Sequence, residues 1–99
     1  MLYYFHVRFR FDPQKSQLLK GNPKRRLSFV EAQEIFDHPH YVDQKSDQPE
    51  QYRAIGWARG QLYSLIFEMR SDDAGEFYWL VTLWKATSHE RKLYEKHSE

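Results

Sequence analysis

The sequence predicts an α+β domain in which the helices pack on one face of a mostly antiparallel sheet, in the order β-α-α-β-β-β-α. The first observation behind this fold class is the alternation of apolar and polar side chains over residues 3–11, which is typical of a strand. The second is a pair of capping boxes, beginning at Ser28 and Thr87, each of which starts a helix. The third is a series of three strand-like runs joined by short turns, which make consecutive strands antiparallel neighbours.

Local signals define the first strand and the first helix. One face of residues 3–11 is apolar and the other is basic. Asp12 then serves as the N-cap and Pro13 as the first helical residue. Gly21, followed two residues later by a proline, ends the helix. The basic side chains of the strand are His6, Arg8 and Arg10.

The second helix is predicted from Ser28 to the residue before Pro39. The Ser28 hydroxyl and the Glu31 carboxylate each satisfy an amide at its first turn, and apolar residues recur at helical spacing. The segment that follows, residues 38–50, is polar and contains prolines, so we expect a surface loop there.

The second half of the chain supplies the remaining strands and the last helix, which begins at the capping box from Thr87 to Glu90 and runs through Tyr94. The predicted strands are residues 52–57, 61–70 and 76–84. The apolar faces of these elements predict one core, which contains Phe5, Val7, Phe9, Phe29, Ile35, Leu65, Phe67, Trp79 and Val81.

Length and composition limit the class of protein. The 99 residues fit a single domain spanning residues 1–99. The absence of cysteine excludes a disulfide framework, a thiolate metal site and a cysteine nucleophile. No apolar run approaches the roughly 20 residues of a membrane helix, and the first residues lack the features of a signal peptide. We therefore expect a cytoplasmic protein that does not contact membranes.

Two histidines raise the question of a metal site. His38 and His40 stand two residues apart in the predicted loop, with Asp43 nearby, but a structural zinc site needs four ligands. We interpret them as surface side chains and expect neither a bound metal nor a cofactor.

Charge is distributed unevenly along the chain, although the net charge is only +1. Residues 1–29 carry seven basic and one acidic side chain, residues 30–76 carry four basic and ten acidic ones, and the remainder is close to neutral. This pattern indicates a bipolar surface, with one part suited to polyanions and another to a basic partner. The alternative is that the charges only solvate the surface.

The last strand and helix carry the residues best suited to chemistry, because RNA cleavage needs cations for the phosphate and groups that move protons. A charged amphipathic helix without catalytic function would look the same in sequence. The residues concerned are Lys85, His89, Glu90, Arg91, Lys92 and Tyr94. Further candidates for phosphate binding are the basic face of the first strand and the cluster Lys20, Lys24, Arg25 and Arg26. The alternative is that they form a solvated edge and a helix–helix turn.

Four fragments carry a resemblance to a known family. They are FRFDPQK at residues 9–15, LSFVEAQEIFDHP at 27–39, RAIGWARGQLYSLIFE at 53–68 and KATSHERKLYE at 85–95. In this order and spacing, they resemble the BrnT family of type II toxin–antitoxin systems, which has the RelE-like ribonuclease fold. The resemblance implies a metal-independent endoribonuclease that inhibits translation. It also implies a ribbon-helix-helix antitoxin as partner, with promoter DNA contacted only through that antitoxin.

The resemblance also assigns site residues. The Trp/Phe-Asp-x-x-Lys motif of the family falls on Phe11, Asp12 and Lys15, and its Lys-His-Gly motif falls on Lys24, Arg25 and Arg26. Its strand-end motif falls on Trp84, Lys85 and Ala86, and its tail motif on Ser88, Glu90, Arg91 and Tyr94. The candidate catalytic residues are Lys85, His89, Glu90, Arg91 and Tyr94. The candidate RNA-binding residues are Arg8, Arg10, Lys15, Lys24, Arg25 and Trp84.

The chain departs from the family pattern at three positions. Arg25 stands where the family has histidine, and a guanidinium cannot act as a general base. Arg26 replaces a glycine, and Trp84 replaces a basic residue and is expected to stack on a base instead. These departures leave open a catalytically weak binding module that acts by complexing its antitoxin. A further alternative, an unrelated structural domain, has no sequence feature that favours it.

Overall fold

Five strands and three α-helices follow one another along residues 7–97, the part of the chain described by a computed structural model. In chain order the elements are β1 (Arg8–Arg10), α1 (Pro13–Gly21), α2 (Phe29–Ala32), a 3₁₀ helix (Gln33–Asp37), β2 (Tyr41–Asp47), β3 (Glu50–Ala58), β4 (Gln61–Asp72), β5 (Gly75–Lys85) and α3 (Ser88–His97). The strands form one sheet in the order β1-β5-β4-β3-β2. β1 runs parallel to β5 and the other neighbours are antiparallel, which confirms the predicted α+β class with a mostly antiparallel sheet.

The predicted caps form at the helix starts. The Asp12 carboxylate accepts a hydrogen bond from the Gln14 amide at 2.9 Å, and α1 begins at Pro13. At α2 the Ser28 hydroxyl accepts from the Glu31 amide at 3.1 Å, while the Glu31 carboxylate accepts from the Ser28 amide at 3.0 Å. Each bond satisfies an amide that a helix start leaves without an intrahelical partner.

The segment predicted as a loop contains a strand. Residues 41–47 form β2, which pairs antiparallel with β3 through Tyr41 opposite Ile55 and Asp43 opposite Arg53. Because β2 lies at the edge of the sheet, its composition is largely polar and it lacks the apolar alternation of a half-buried strand. The observed order is therefore β-α-α-β-β-β-β-α.

The main core lies between one face of the sheet, here called the inner face, and the helices α1 and α2 with the 3₁₀ helix. Phe9 and Phe36 extend this core through aromatic contacts, their ring centroids being 5.3 Å apart. The buried residues of the cluster are Leu19, Leu27, Phe29, Ala32, Ile35, Ala54, Ala58, Tyr63, Leu65, Phe67, Leu80 and Leu83.

A β-bulge in β5 moves two predicted core residues. Ile66 pairs with Thr82, and the next residue of β4 pairs with Leu80, which leaves Val81 without a cross-strand partner. Beyond the bulge the side chains of β5 exchange faces. Trp79 therefore lies on the outer face of the sheet, where the Arg70 guanidinium covers its ring, and neither Trp79 nor Val81 belongs to the core cluster.

Most of the other predicted core residues are buried, and one is exposed. Phe29, Ile35, Leu65 and Phe67 are buried, which confirms their prediction, and Phe9 packs against the cluster as a half-buried side chain. Val7 is 41% exposed, because it precedes β1 and has no strand neighbour, so its prediction was wrong. Phe5 lies outside the described residues.

Helix α3 packs on the outer face, so the prediction that all helices share one face is wrong. Its Glu90 contacts Arg53 and Trp84, whose neighbours Ala54 and Leu83 point into the core on the inner face. Since successive side chains of a strand point to opposite faces, α3 lies opposite α1 and α2. Among residues 7–97, no helix combines the length and the apolar character needed to cross a lipid bilayer.

Candidate functional site

The strand register defines two ends of the sheet, one of which carries a cluster of carboxylates. The β2–β3 and β4–β5 connections lie at one end, here called the acidic end. The β3–β4 connection, the last residue of β5 and the start of α3 lie at the other, here called the basic end. Carboxylates at the acidic end are Asp47, Glu50, Asp72, Asp73 and Glu76.

Ion pairing distinguishes two groups of basic side chains. Arg8, Lys20, Arg53 and Arg70 each lie within 3.3 Å of a carboxylate oxygen. Within residues 7–97 a second group has no carboxylate at ion-pair distance. Except for Lys45 on β2, its members lie on α1, on the α1–α2 connection, at the end of β5 and on α3. This group comprises Lys15, Lys24, Arg25, Arg26, Lys45, Lys85, Arg91, Lys92 and Lys96. Cations without a carboxylate partner are the ones available to an external polyanion.

Arg8 and Arg10, two of the predicted RNA-binding residues, lie apart from this group. The Arg8 guanidinium donates to Asp72 at 2.8 Å and to the Gly75 carbonyl at 2.8 Å, and Arg10 approaches Asp72 at 3.4 Å. Both guanidiniums lie over the Phe77 ring, at 5.5 and 5.0 Å from its centroid. The hydrogen bond from Arg8 also lowers the pKa of the Asp72 carboxyl. These contacts connect β1 to the β4–β5 hairpin near the acidic end.

Arg25 joins the α1–α2 connection to the end of β5. Its guanidinium donates to the Leu83 carbonyl, and its own carbonyl accepts from the Tyr63 hydroxyl at 2.6 Å. Tyr63 is the cross-strand partner of Lys85, so Arg25 and Lys85 lie at the same end of the sheet. Lys15 lines a surface cavity of about 270 Å³ with Arg25. The structure therefore brings three of the predicted residues to the end of β5.

Glu90, a predicted proton-transfer residue, is only 4% exposed, and its carboxylate is hydrogen-bonded within the protein. Its carboxylate accepts hydrogen bonds from the Trp84 indole at 2.9 Å, from the Thr87 amide at 2.9 Å and from Arg53 at 3.3 Å. The Glu90 amide donates to the Thr87 hydroxyl at 3.1 Å, which completes the predicted capping box of α3. These bonds give Glu90 a structural function at the start of α3.

The protonation of Glu90 follows from these contacts. Burial raises its pKa, but the Thr87 amide, the Trp84 indole and the charge of Arg53 outweigh burial, and the pKa of Glu90 lies below its ordinary value. The buried Ser64 hydroxyl faces the same carboxylate without a hydrogen bond of normal geometry. Glu90 is therefore an ionised carboxylate at neutral pH.

Arg53 has a central structural position that the sequence analysis did not single out. It donates to Asp43 on β2 at 2.5 Å and to Glu90 on α3 at 3.3 Å, and its side chain is 11% exposed. These carboxylates raise the pKa of Arg53, the hydrogen bond to Asp43 being the largest cause. The available signal was an arginine that directly precedes the apolar run 54–58 of β3, since a buried guanidinium requires carboxylate partners.

Trp84, predicted to stack on a base, is half-buried with its indole N–H donated to Glu90. The exposed aromatic side chain near α3 is instead Trp57 on β3, which is 37% exposed and which the sequence analysis did not select. The Arg91 guanidinium lies 5.5 Å from the centre of its ring, and the Tyr94 ring meets it edge-on at 6.5 Å. His89, Lys92 and Lys85 are exposed.

No protein-family model matches the chain, and no curated protein matches it at a significant level. In the part of the chain that the structure describes, no three potential metal-ligating side chains come together, and His40 is engaged with the His38 carbonyl. What the geometry offers is a basic end with cations for a polyanion, together with an exposed histidine and a half-buried tyrosine on α3.

Proposed function

We propose that this protein is a BrnT-like toxin, a cytoplasmic endoribonuclease that cleaves RNA without a metal and thereby inhibits translation. One observation carries the proposal: Arg25 and Lys85 at the end of β5 and Arg91 on α3 have no carboxylate partner among residues 7–97, nor has Lys24 beside Arg25, whereas Arg8, Arg53 and Arg70 on the sheet are ion-paired. A surface of this kind attracts a phosphate backbone.

The chemistry we propose uses the 2′-hydroxyl of RNA as the nucleophile. Its oxygen attacks the adjacent phosphorus while its proton passes to a base, and the 5′-oxygen leaves with a proton from an acid. His89 and Tyr94 are the candidates for these proton transfers, since both can exchange protons and neither is fully buried. Lys85 and Arg91 would stabilise the charge of the pentacovalent phosphate. Glu90 contributes by fixing the start of α3.

Cleavage assays on the purified protein test this function. We expect cleavage of single-stranded RNA that persists with EDTA, and a decrease of about 100-fold in Lys85→Ala and in Arg91→Ala, the size expected for one lost electrostatic contact. Lys45→Ala is the matched control, because Lys45 is also exposed and unpaired within residues 7–97 but lies on β2. Full activity in the Lys85/Arg91 double variant would contradict the assignment.

A second function, a catalytically weak binding module, is favoured by two specific observations. Glu90 is enclosed by hydrogen bonds, and Arg25, which stands at the family's histidine position, donates to the Leu83 carbonyl. A protein that binds RNA or its antitoxin without cleaving RNA in the assay above would support this function and exclude the first.

For either function we propose a ribbon-helix-helix antitoxin as partner, with promoter DNA reached only through it. The acidic end supports a partner that carries a basic segment, because its carboxylates at Asp73 and Glu76 are exposed on the β4–β5 hairpin. Co-expression with such an antitoxin and size-exclusion chromatography at low salt should give one complex. The double variant Asp73→Lys/Glu76→Lys should weaken it, and separate elution of the unmodified proteins would count against the partnership.

A further inference from the structure

The three tryptophans of the outer face differ in whether their rings are accessible. Trp79 is covered by the Arg70 guanidinium at 4.7 Å, and Arg70 is itself bonded to Glu68 at 2.7 Å. Trp84 is half-buried and donates its indole N–H to a carboxylate. Trp57 is the most accessible of them, at 37% exposure, and lies near the end of β3 that belongs to the basic end.

Trp57 and Arg91 form a pair whose charge is not compensated. The Arg91 guanidinium lies over the Trp57 ring at 5.5 Å, a geometry close to that of Arg70 on Trp79. The difference is that no carboxylate among residues 7–97 lies at ion-pair distance from Arg91. The ring orients the guanidinium, while its donors remain available to an external anion.

We propose that Trp57 and Arg91 form a stacking site for an unpaired base of single-stranded RNA. This inference rests on the proposed function, and it adds a residue that contacts the substrate's base. Single-stranded RNA is recognised through bases that stack on aromatic rings and on arginine planes, with nearby cations holding the phosphates. The base stacks on this aromatic–guanidinium pair, and the guanidinium edge donates to the adjacent phosphate.

Charge favours RNA over a peptide at this site. The exposed side chain that follows Arg91 on α3 is Lys92, which also has no carboxylate partner within residues 7–97, and the unpaired Lys85 ends β5 at the same end of the sheet. Tyr94 extends the aromatic surface by meeting Trp57 edge-on. A surface with a stacking ring and several uncompensated cations matches an anionic strand with exposed bases.

Binding of a short 2′-O-methyl oligoribonucleotide tests the site independently of cleavage, because the blocked 2′-oxygen cannot attack. We expect the oligonucleotide to quench tryptophan fluorescence and Trp57→Ala to weaken binding about tenfold or more, as loss of one stacked base does, while Trp57→Phe retains most of the affinity. Arg91→Ala should weaken binding as well. Arg70→Ala is the matched control, since it also removes an arginine stacked on a tryptophan and the same charge.

A second probe separates stacking from folding and from charge. With an oligonucleotide that lacks bases but keeps the backbone, Trp57→Ala should bind as tightly as the unmodified protein. Equal affinity of Trp57→Ala and the unmodified protein for the complete oligonucleotide would overturn the stacking site and leave the proposed function standing. Absence of binding by the unmodified protein to either probe would overturn the proposed function and the inference together.

Discussion

Arg53 on β3 and Glu90 at the start of α3 form an ion pair, with a distance of 3.3 Å between the guanidinium and the carboxylate. Their side chains are 11% and 5% exposed, so the pair is shielded from water. Because α3 carries Arg91 and Tyr94 to Trp57, this contact determines where the proposed RNA-binding groups lie.

Removing the Glu90 carboxylate should destabilise the fold strongly. Glu90→Ala leaves the Arg53 guanidinium with one partner fewer and removes the capping box of α3, which together cost about 3 kcal/mol. Urea denaturation followed by circular dichroism measures the change in the free energy of unfolding. Glu95→Ala, an exposed substitution on the same helix, is the control and should change stability little. Equal midpoints for the two variants would refute the structural function of Glu90.

Acid should weaken the fold partly through Glu90. Its pKa lies below the ordinary value of 4.5 in the folded protein, so the unfolded chain takes up the proton first as the pH falls. The stabilisation is fully present above pH 4.5 and is lost as the pH falls towards the lowered pKa. Urea midpoints measured from pH 7 to pH 3 should decrease less steeply for Glu90→Gln than for the unmodified protein. Parallel pH profiles would contradict this expectation.

Trp84→Phe should affect stability and spare RNA binding. The substitution keeps an aromatic side chain, although a smaller one, and removes the indole N–H that donates to Glu90; a hydrogen bond to a charged group contributes about 1–2 kcal/mol. Thermal unfolding measures the loss, and titration with the 2′-O-methyl oligoribonucleotide measures binding. A variant with unchanged stability and lost affinity would instead make Trp84 the base-stacking residue.

Gly56 should not tolerate a side chain. A Cβ at this position would lie 2.8 Å from Ile35 Cγ2 and 3.1 Å from His40 Cβ, so Ile35 or the β3 backbone would have to shift. We expect Gly56→Ala to lower stability by about 1–3 kcal/mol, the usual cost of overpacking. Gly21→Ala is the control, since nothing lies within 4 Å of its Cβ position. An unchanged unfolding temperature for Gly56→Ala would show that the residues around Gly56 accommodate a Cβ without loss of stability.

The features that the sequence predicted well depend on local signals. Asp12 and Ser28 cap their helices because the bonds that they form reach only two or three residues along the chain. Phe29 and Ile35 are buried because one helical face must cover the sheet. These features depend on residues that are close in sequence, so periodicity and spacing predict them.

The features that it missed depend on register and on contacts between distant elements. The bulge at Val81 turns Trp79 to the outer face, and nothing in the alternation of β5 marks where a residue will lose its partner. Arg53 and Glu90 are 37 residues apart, and although an arginine beside an apolar run indicates a carboxylate partner, nothing in the sequence identifies Glu90 as that partner. The Glu90 capping box was recognised, but its burial follows only from the docking of α3 on the outer face.

The edge strand β2 carries features that affect its pairing with strands of other molecules. Its pairing with β3 is interrupted between Gln44 and Ser46, and the exposed Lys45 lies at that bulge. At the opposite edge of the sheet, β1 pairs with only three residues of β5. Farther along β5, the Leu83 carbonyl accepts a hydrogen bond from the Arg25 guanidinium. Open backbone edges promote strand addition between molecules, and bulges and cations oppose it. The Arg25 guanidinium on the Leu83 carbonyl and Lys45 at the bulge of β2 are therefore features of the kind that oppose pairing between sheet edges.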